Sequence, residues 1–195
     1  MRERLAQLTS NILNPFLVSL IVIILLSVEA TAGSDDALKW SLISIALSVL
    51  PVFAVVIYMV RQKKLDGIFV NPRQQRSGIY LLATVLAVIA CFVLIYLEAP
   101  KLLKVTFIAG LAAIVVFMVI NRFWKISLHT AFVAASVTVM TIVYGAAGAL
   151  TILLLPPVAW ARIRLKQHSP AQVAAGALIS AAIVVVVFWG LGEML

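Results

Sequence analysis

The sequence predicts an all-α membrane protein, a bundle of about seven transmembrane helices (six possible) forming a single transmembrane domain over residues 1–195. Of the 195 residues, 64% are hydrophobic and 11% are charged. Soluble domains average about 45–50% apolar and about 25% charged residues, so a soluble chain of this size could not bury so much apolar surface. The charged residues also lie mainly in short stretches between long apolar runs.

Seven apolar segments are long enough to be considered as spans, since roughly 20 apolar residues cross a hydrocarbon core of ~30 Å. The run from Leu128 to Trp160 is long for one span and tight for two. Gly145 and Gly148 lie in its middle, and glycine tolerates the dihedral angles of a tight reversal, which favours two spans. The predicted spans are 15–32, 38–60, 78–97, 102–121, 127–144, 147–161 and 170–192.

The basic residues predict the orientation of these spans. With this segmentation, twelve Arg and Lys residues lie on the side of the N-terminus, and three lie on the other side. Loops rich in Arg and Lys stay in the cytoplasm, so the N-terminus and a site on that side are expected to be cytoplasmic. The net charge of +8 follows this loop pattern, which argues against nucleic-acid binding. We expect a multi-pass protein of a prokaryotic cell membrane.

The two histidines each stand at the start of a predicted span on the basic side. Ser127-Leu128-His129 opens the fifth span, and His168-Ser169-Pro170 opens the seventh. Ser169 suits an N-cap, and proline suits the first helical position. Free N–H groups and the helix dipole attract anions to such ends, so two helix ends, two imidazoles and a ring of Arg and Lys on one membrane face predict a phosphate site. These cations could instead be simple interface residues that reach toward the headgroups.

Two stretches around the histidines resemble signatures of the type 2 phosphatidic acid phosphatase superfamily. The third signature of that family is Ser-Arg, five residues, His, three residues, Asp, and Arg162 and His168 have its spacing. The second signature is Pro-Ser-Gly-His, and the stretch Lys125-Ile126-Ser127-Leu128-His129 keeps Ser127 and His129. Leu128 stands where the family has glycine.

A third stretch, from Lys64 to Pro72, is similar to the family's first signature, Lys, six residues, Arg-Pro. Asn71 stands in place of the arginine, and Arg73 and Arg76 are close enough to substitute for it. Gln172 stands where the third signature has aspartate. Its carbonyl oxygen can accept the imidazole N–H of His168, and its spacing from Ser169 is also that of a capping box, which would be a purely structural role.

The resemblance implies a membrane-embedded, metal-independent phosphatase that acts through a phosphohistidine. His168 would attack phosphorus, and His129 would protonate the leaving alkoxide and later activate water. Gln172 would orient His168, and no cofactor or metal is implied. The residues expected to bind the phosphoryl oxygens are Arg162, Lys64, Arg73, Arg76, Ser127 and Lys125.

The expected substrate is amphiphilic, because a site at the membrane interface meets lipids. A lipid phosphate or a polyprenyl phosphate or diphosphate fits, and the sequence does not choose among them or predict an oligomeric state. A transporter or channel is disfavoured, since Glu29 and Glu98 lie at span ends and the span centres are nearly free of charge. A non-catalytic member of the same fold that binds anionic lipid is the alternative, and Gln172 and Leu128 favour it.

Overall fold

The computed structural model of the protein describes residues 1–69 and 72–192. The described chain is helical, with a short 3-10 helix at Leu150–Leu154. The α-helices are α1 (Arg2–Ile12), α2 (Pro15–Glu29), α3 (Ser34–Leu47), α4 (Val49–Arg61), α5 (Arg73–Tyr96), α6 (Lys101–Asn121), α7 (Leu128–Ala149), α8 (Leu155–Arg164) and α9 (Pro170–Gly192).

Five helical stretches in the described chain are long and apolar enough to cross a membrane, and α1 with α2 makes a sixth when that bent pair is counted as one span. The five are Ser34–Arg61, Arg73–Tyr96, Lys101–Asn121, Leu128–Arg164 and Pro170–Leu191. The all-helical class is therefore confirmed for the described chain, and the five or six apolar helices fit a membrane protein. The count of seven is not confirmed, because it requires both halves of Leu128–Arg164 to cross.

Large apolar side chains lie exposed along these helices. Phe92, Leu178 and Val186 are 71%, 71% and 68% exposed. Side chains of this size do not normally cover the surface of a water-soluble protein in such numbers, whereas the apolar core of a lipid bilayer accommodates them. The exposed surface therefore fits an integral membrane protein, as the composition predicts.

Prolines account for two helix breaks in the first third of the chain. Between α1 and α2 the axis bends by 42°, where the side-chain oxygen of Asn14 accepts the N–H of Leu17 at 3.0 Å. Asn14 is thus the N-cap of a new helix that begins at Pro15. Pro51 has no N–H to donate to the carbonyl of Leu47, and its ring would clash with that carbonyl. The helix therefore breaks at Ser48, between α3 and α4. The predicted span 38–60 is therefore two helices.

The chain folds back on itself within Leu128–Arg164. Gly145 has φ 59° and ψ −132°, a conformation that only glycine adopts readily. A Cβ atom on Gly148 would clash with the carbonyl of Met140, although eight residues of one straight helix would separate them by about 12 Å. The sequence prediction of a reversal at 144–148 is confirmed.

Residue contacts divide the chain into two units. Unit 1 contains Met1–Ser19 and Lys125–Trp189, and unit 2 contains Leu20–Trp124 and the residues from Gly190 on. The prediction that the whole chain is one domain stays a prediction.

Each unit has its own packing. In unit 1, Val133 and Val137 of α7 pack against Val158 of α8, with Leu13 and Val18 at the edge of the cluster. Contact between Val137 and Val158 requires that α8 return along α7, so the start of α7 and the end of α8 lie at the same end of the unit. In unit 2, the closest pair is α5 and α6, which are joined by a tight turn at Glu98 with φ 54°.

Candidate functional site

The turn between α8 and α9 fixes the spacing of Arg162 and His168. The carbonyl of Arg162 accepts the N–H groups of Gln167 and His168, at 3.2 and 3.3 Å. Lys166 has φ 53°, so the helix ends in the left-handed conformation that closes a Schellman motif. The interval from Arg162 to His168 in the third signature therefore contains the end of α8 and the short turn that leads into α9.

Gln172 holds both the start of α9 and the ring of His168. Its Oε1 accepts the N–H of Ser169 at 3.2 Å, and the Oγ of Ser169 accepts the N–H of Gln172 at 3.3 Å. This is the capping box that the spacing predicts. The same Oε1 lies 3.2 Å from Nδ1 of His168. One oxygen atom of Gln172 therefore both caps the helix and contacts the imidazole, the two roles expected from the sequence.

This arrangement determines the tautomer of His168. A backbone N–H can only donate, so the Gln172 atom that faces Ser169 must be the carbonyl oxygen and not the amide nitrogen. An oxygen acceptor facing Nδ1 of His168 requires that Nδ1 carry the proton. In the neutral ring the lone pair then lies on Nε2.

The start of α7 packs against the same turn. The N–H of Ser127 donates to the carbonyl of Gln172 at 3.3 Å, and Nζ of Lys125 donates to the carbonyl of Gln167 at 2.8 Å. Oγ1 of Thr130 lies 3.2 Å from the carbonyl of Val173. The second and third signatures of the resemblance are therefore adjacent within unit 1.

A glycine permits this close packing. A Cβ atom on Gly176 would lie 2.6 Å from the carbonyl oxygen of Ser127 and 3.0 Å from Oγ1 of Thr130. Real Cβ atoms do not approach oxygen so closely, so a larger residue would push α9 away from α7. Gly176 thus sets the distance between the two helix starts.

Both imidazoles lie at this end of unit 1 and are buried. His129 is in the first turn of α7, and Ser127 caps that helix by accepting the N–H of Thr130 at 3.5 Å. The exposed fractions of His129 and His168 are 4% and 6%, and that of Ser127 is 0%. Neither ring is directed outward into acyl chains.

Arg162 is buried and contacts the N-terminal helix. Its Nη1 donates to Oγ of Ser10 at 2.8 Å, and the two residues are 152 positions apart in the chain. The exposed fractions are 2% for Arg162 and 1% for Ser10. The sequence offers no signal for this contact, because nothing in the composition or spacing of α1 indicates that it packs on α8.

The charges of unit 1 are strongly unbalanced. No aspartate or glutamate occurs between Glu98 and Glu193, so the only carboxylate side chain in unit 1 is that of Glu3, which is exposed. The cations are Arg2, Arg4, Lys125, Arg162, Arg164 and Lys166. Burying a cation is expensive unless hydrogen bonds or opposite charge compensate it, and the bond to Ser10 is one such contact of Arg162.

The residues of the first signature lie in unit 2. Lys64 is exposed, and Nη1 of Arg73 donates to the carbonyl of Arg122 at 3.0 Å, which joins the start of α5 to the end of α6. Arg76 is 5% exposed and lies one helical turn before Tyr80, which is also buried. Asn71 lies outside the described residues. The phosphate-binding roles of Lys64, Arg73 and Arg76 stay predictions.

Comparison of the chain with the models of known protein families, with curated protein sequences and with solved structures found no match. The likeness to the phosphatase superfamily therefore depends on the signature residues alone.

Proposed function

We propose that the protein is a membrane-embedded, metal-independent phosphohydrolase that acts on a lipid phosphate or a polyprenyl phosphate or diphosphate. One observation carries the proposal: two buried imidazoles and a buried guanidinium, those of His129, His168 and Arg162, occupy one end of unit 1, and this unit has six cations and one carboxylate side chain. A dianionic phosphoryl group accepts hydrogen bonds from such side chains and carries the opposite charge.

In the proposed first step, the Nε2 lone pair of His168 forms a bond to phosphorus while the bond from phosphorus to the ester oxygen breaks. The imidazolium of His129 gives its proton to the departing alkoxide. The Oε1 atom of Gln172 accepts a hydrogen bond from Nδ1–H of His168 throughout, so the ring stays oriented as it takes on positive charge. Its carbonyl dipole supports that charge less than a carboxylate would.

In the second step, water attacks the phosphohistidine. His129, now neutral, takes a proton from the water as its oxygen bonds to phosphorus, and the bond from phosphorus to Nε2 breaks. Phosphate leaves, and both imidazoles return to their starting states. Arg162, Ser127 and Lys125 stabilise the equatorial oxygens.

The proposal extends to the membrane topology. Two crossings by Leu128–Arg164, one on each side of the reversal at Gly145, would give seven spans when α1 and α2 form one. The charge distribution then favours a cytoplasmic site in a prokaryotic cell membrane. The substrate would reach the site from the inner leaflet.

The test is phosphate release by the detergent-purified protein from phosphatidate and from a polyprenyl diphosphate, with and without EDTA. We expect release that EDTA does not reduce, and we expect His168→Ala and His129→Ala each to abolish it. Activity that survives either substitution removes the assignment of that histidine. An absolute requirement for a metal removes the metal-free mechanism.

A non-catalytic protein that binds anionic lipid is the second candidate, and Gln172 in place of aspartate favours it. It predicts that orthovanadate, a phosphate analogue, raises the melting temperature of the wild type although no substrate is turned over. An enzyme shows both the protection and the turnover.

A further inference from the structure

The N-terminal helix packs on α8 through a face of small residues. Ala6 and Ser10, one helical turn apart in α1, are 0% and 1% exposed, while Leu5 and Leu8 of the same helix are 55% and 56% exposed. Small side chains let two helix backbones approach closely. Ser10 is thereby held against α8, where its hydroxyl reaches the guanidinium of Arg162.

The contact with Ser10 restrains the side chain of Arg162. A free arginine side chain has many rotamers, and its planar fork of five N–H donors binds an oxyanion best when its orientation is held. The bond from Nη1 of Arg162 to Oγ of Ser10, at 2.8 Å, restrains the orientation of the guanidinium and uses one of those donors.

The chemistry of serine suits this role. A carboxylate at position 10 would also accept the bond, but it would neutralise the guanidinium and compete with a phosphoryl group. A neutral hydroxyl orients the cation and leaves its charge for a ligand. The absence of any acidic residue from the sequence between Glu98 and Glu193 is consistent with a unit that keeps that charge available.

We propose that Ser10 is a positioning residue of the oxyanion site. Ser10 acts by holding the guanidinium of Arg162, so α1 contributes a residue to the site. This inference rests on the oxyanion binding of the proposed function and not on turnover. It makes the first helix of the chain necessary for a site whose other residues in unit 1 lie more than a hundred positions later.

The test is the dissociation constant of orthovanadate for the full-length, detergent-purified protein, measured for the wild type and for Ser10→Ala. Alanine is the best helix former, so the substitution leaves α1 intact. The matched control is Ser27→Ala in unit 2, which removes a serine that is 0% exposed. We expect Ser10→Ala to weaken vanadate binding about tenfold, as loss of a hydrogen bond to a charged group would, and Ser27→Ala to leave it unchanged.

A second measurement separates positioning from general support of the fold. In an Arg162→Lys background the fork is gone, so Ser10→Ala should weaken vanadate binding no further. Should Ser10→Ala lower the melting temperature and leave the dissociation constant unchanged, the residue is structural and the inference is wrong. An equal loss in both backgrounds would also overturn it.

The outcomes distinguish this inference from the proposed function. Wild-type protein that binds vanadate and releases no phosphate contradicts the enzyme, while the dissociation constants still decide the role of Ser10. Wild-type protein that hydrolyses its substrate, with Ser10→Ala equal to it in vanadate binding, contradicts the inference alone. Wild-type protein that does not bind vanadate overturns both.

Discussion

The two units use their arginines differently, although both contain cations that the family resemblance assigns to phosphate. In unit 2, Arg73 donates to the backbone of the helix that follows α5. In unit 1, Arg162 is buried against a neutral serine, and the unit's one carboxylate side chain is exposed. The difference teaches that a signature match alone does not identify a ligand. The burial of a cation at the same end of unit 1 as two buried imidazoles is the more informative observation.

The largest expected effect compares these two arginines directly. Arg162→Gln removes a buried charge aimed at the oxyanion, so we expect phosphate release to fall by roughly 10²–10³, the usual loss for one such donor. Arg73→Gln removes a bond to a backbone carbonyl, so a much smaller loss of release is expected, with a lower melting temperature. If Arg73→Gln lowered phosphate release as much as Arg162→Gln, the comparison would fail, and Arg73 would be a phosphate ligand.

Two glycines provide the next comparison. Gly176→Ala places a Cβ against the carbonyl of Ser127, which we expect to lower the free energy of unfolding by about 1–3 kcal/mol. Gly110→Ala in α6 is the matched control, because nothing lies within 4 Å of the added Cβ, and it should raise stability by up to about 1 kcal/mol. Unfolding in mixed micelles measures both. A neutral Gly176→Ala would contradict the close packing of α7 and α9.

Gln172→Glu sharpens the difference between catalysis and capping. The carboxylate keeps an oxygen for the N–H of Ser169 and adds a negative charge beside His168, which should speed formation of the phosphohistidine about tenfold. It also favours the helix N-terminus by about 0.5 kcal/mol. Gln172→Ala should slow phosphate release. Gln172 would be only a helix cap if Gln172→Ala released phosphate faster than the wild type. The same conclusion would follow if Gln172→Glu were more stable but released phosphate no faster.

The smallest expected effect concerns one turn with a positive φ angle in each unit. Lys166 in unit 1 and Glu98 in unit 2 both have positive φ, a conformation that costs a residue with a Cβ about 1 kcal/mol. Lys166→Gly and Glu98→Gly should each raise stability by about that amount without changing phosphate release. A loss of release in Lys166→Gly alone would give that lysine a role beyond the turn.

Much of this local structure could be predicted from the sequence, because its causes are local. The cap at Ser169, a helix start at Pro170 and a reversal near Gly145 each follow from a few neighbouring residues. The sequence places both histidines on the same side of the membrane, because two predicted spans, 127–144 and 147–161, lie between them.

The rest depends on contacts between distant residues or on a helix break that hydropathy hides. Ser10 and Arg162 are 152 positions apart, and no periodicity links them. Pro51 lies in a mostly apolar segment, so hydrophobicity alone treats 38–60 as one unbroken helix. Gly176 looks like one of many small residues in α9 until the carbonyl of Ser127 is placed beside it.

Calorimetric titration of orthovanadate into the wild type and into Arg162→Gln tests most directly whether unit 1 binds an oxyanion. We expect one saturable site per chain in the wild type and binding at least about thirtyfold weaker in Arg162→Gln, in line with the loss of a charge-assisted hydrogen bond. No saturable binding to the wild type, or equal affinity of the two proteins, would contradict the account.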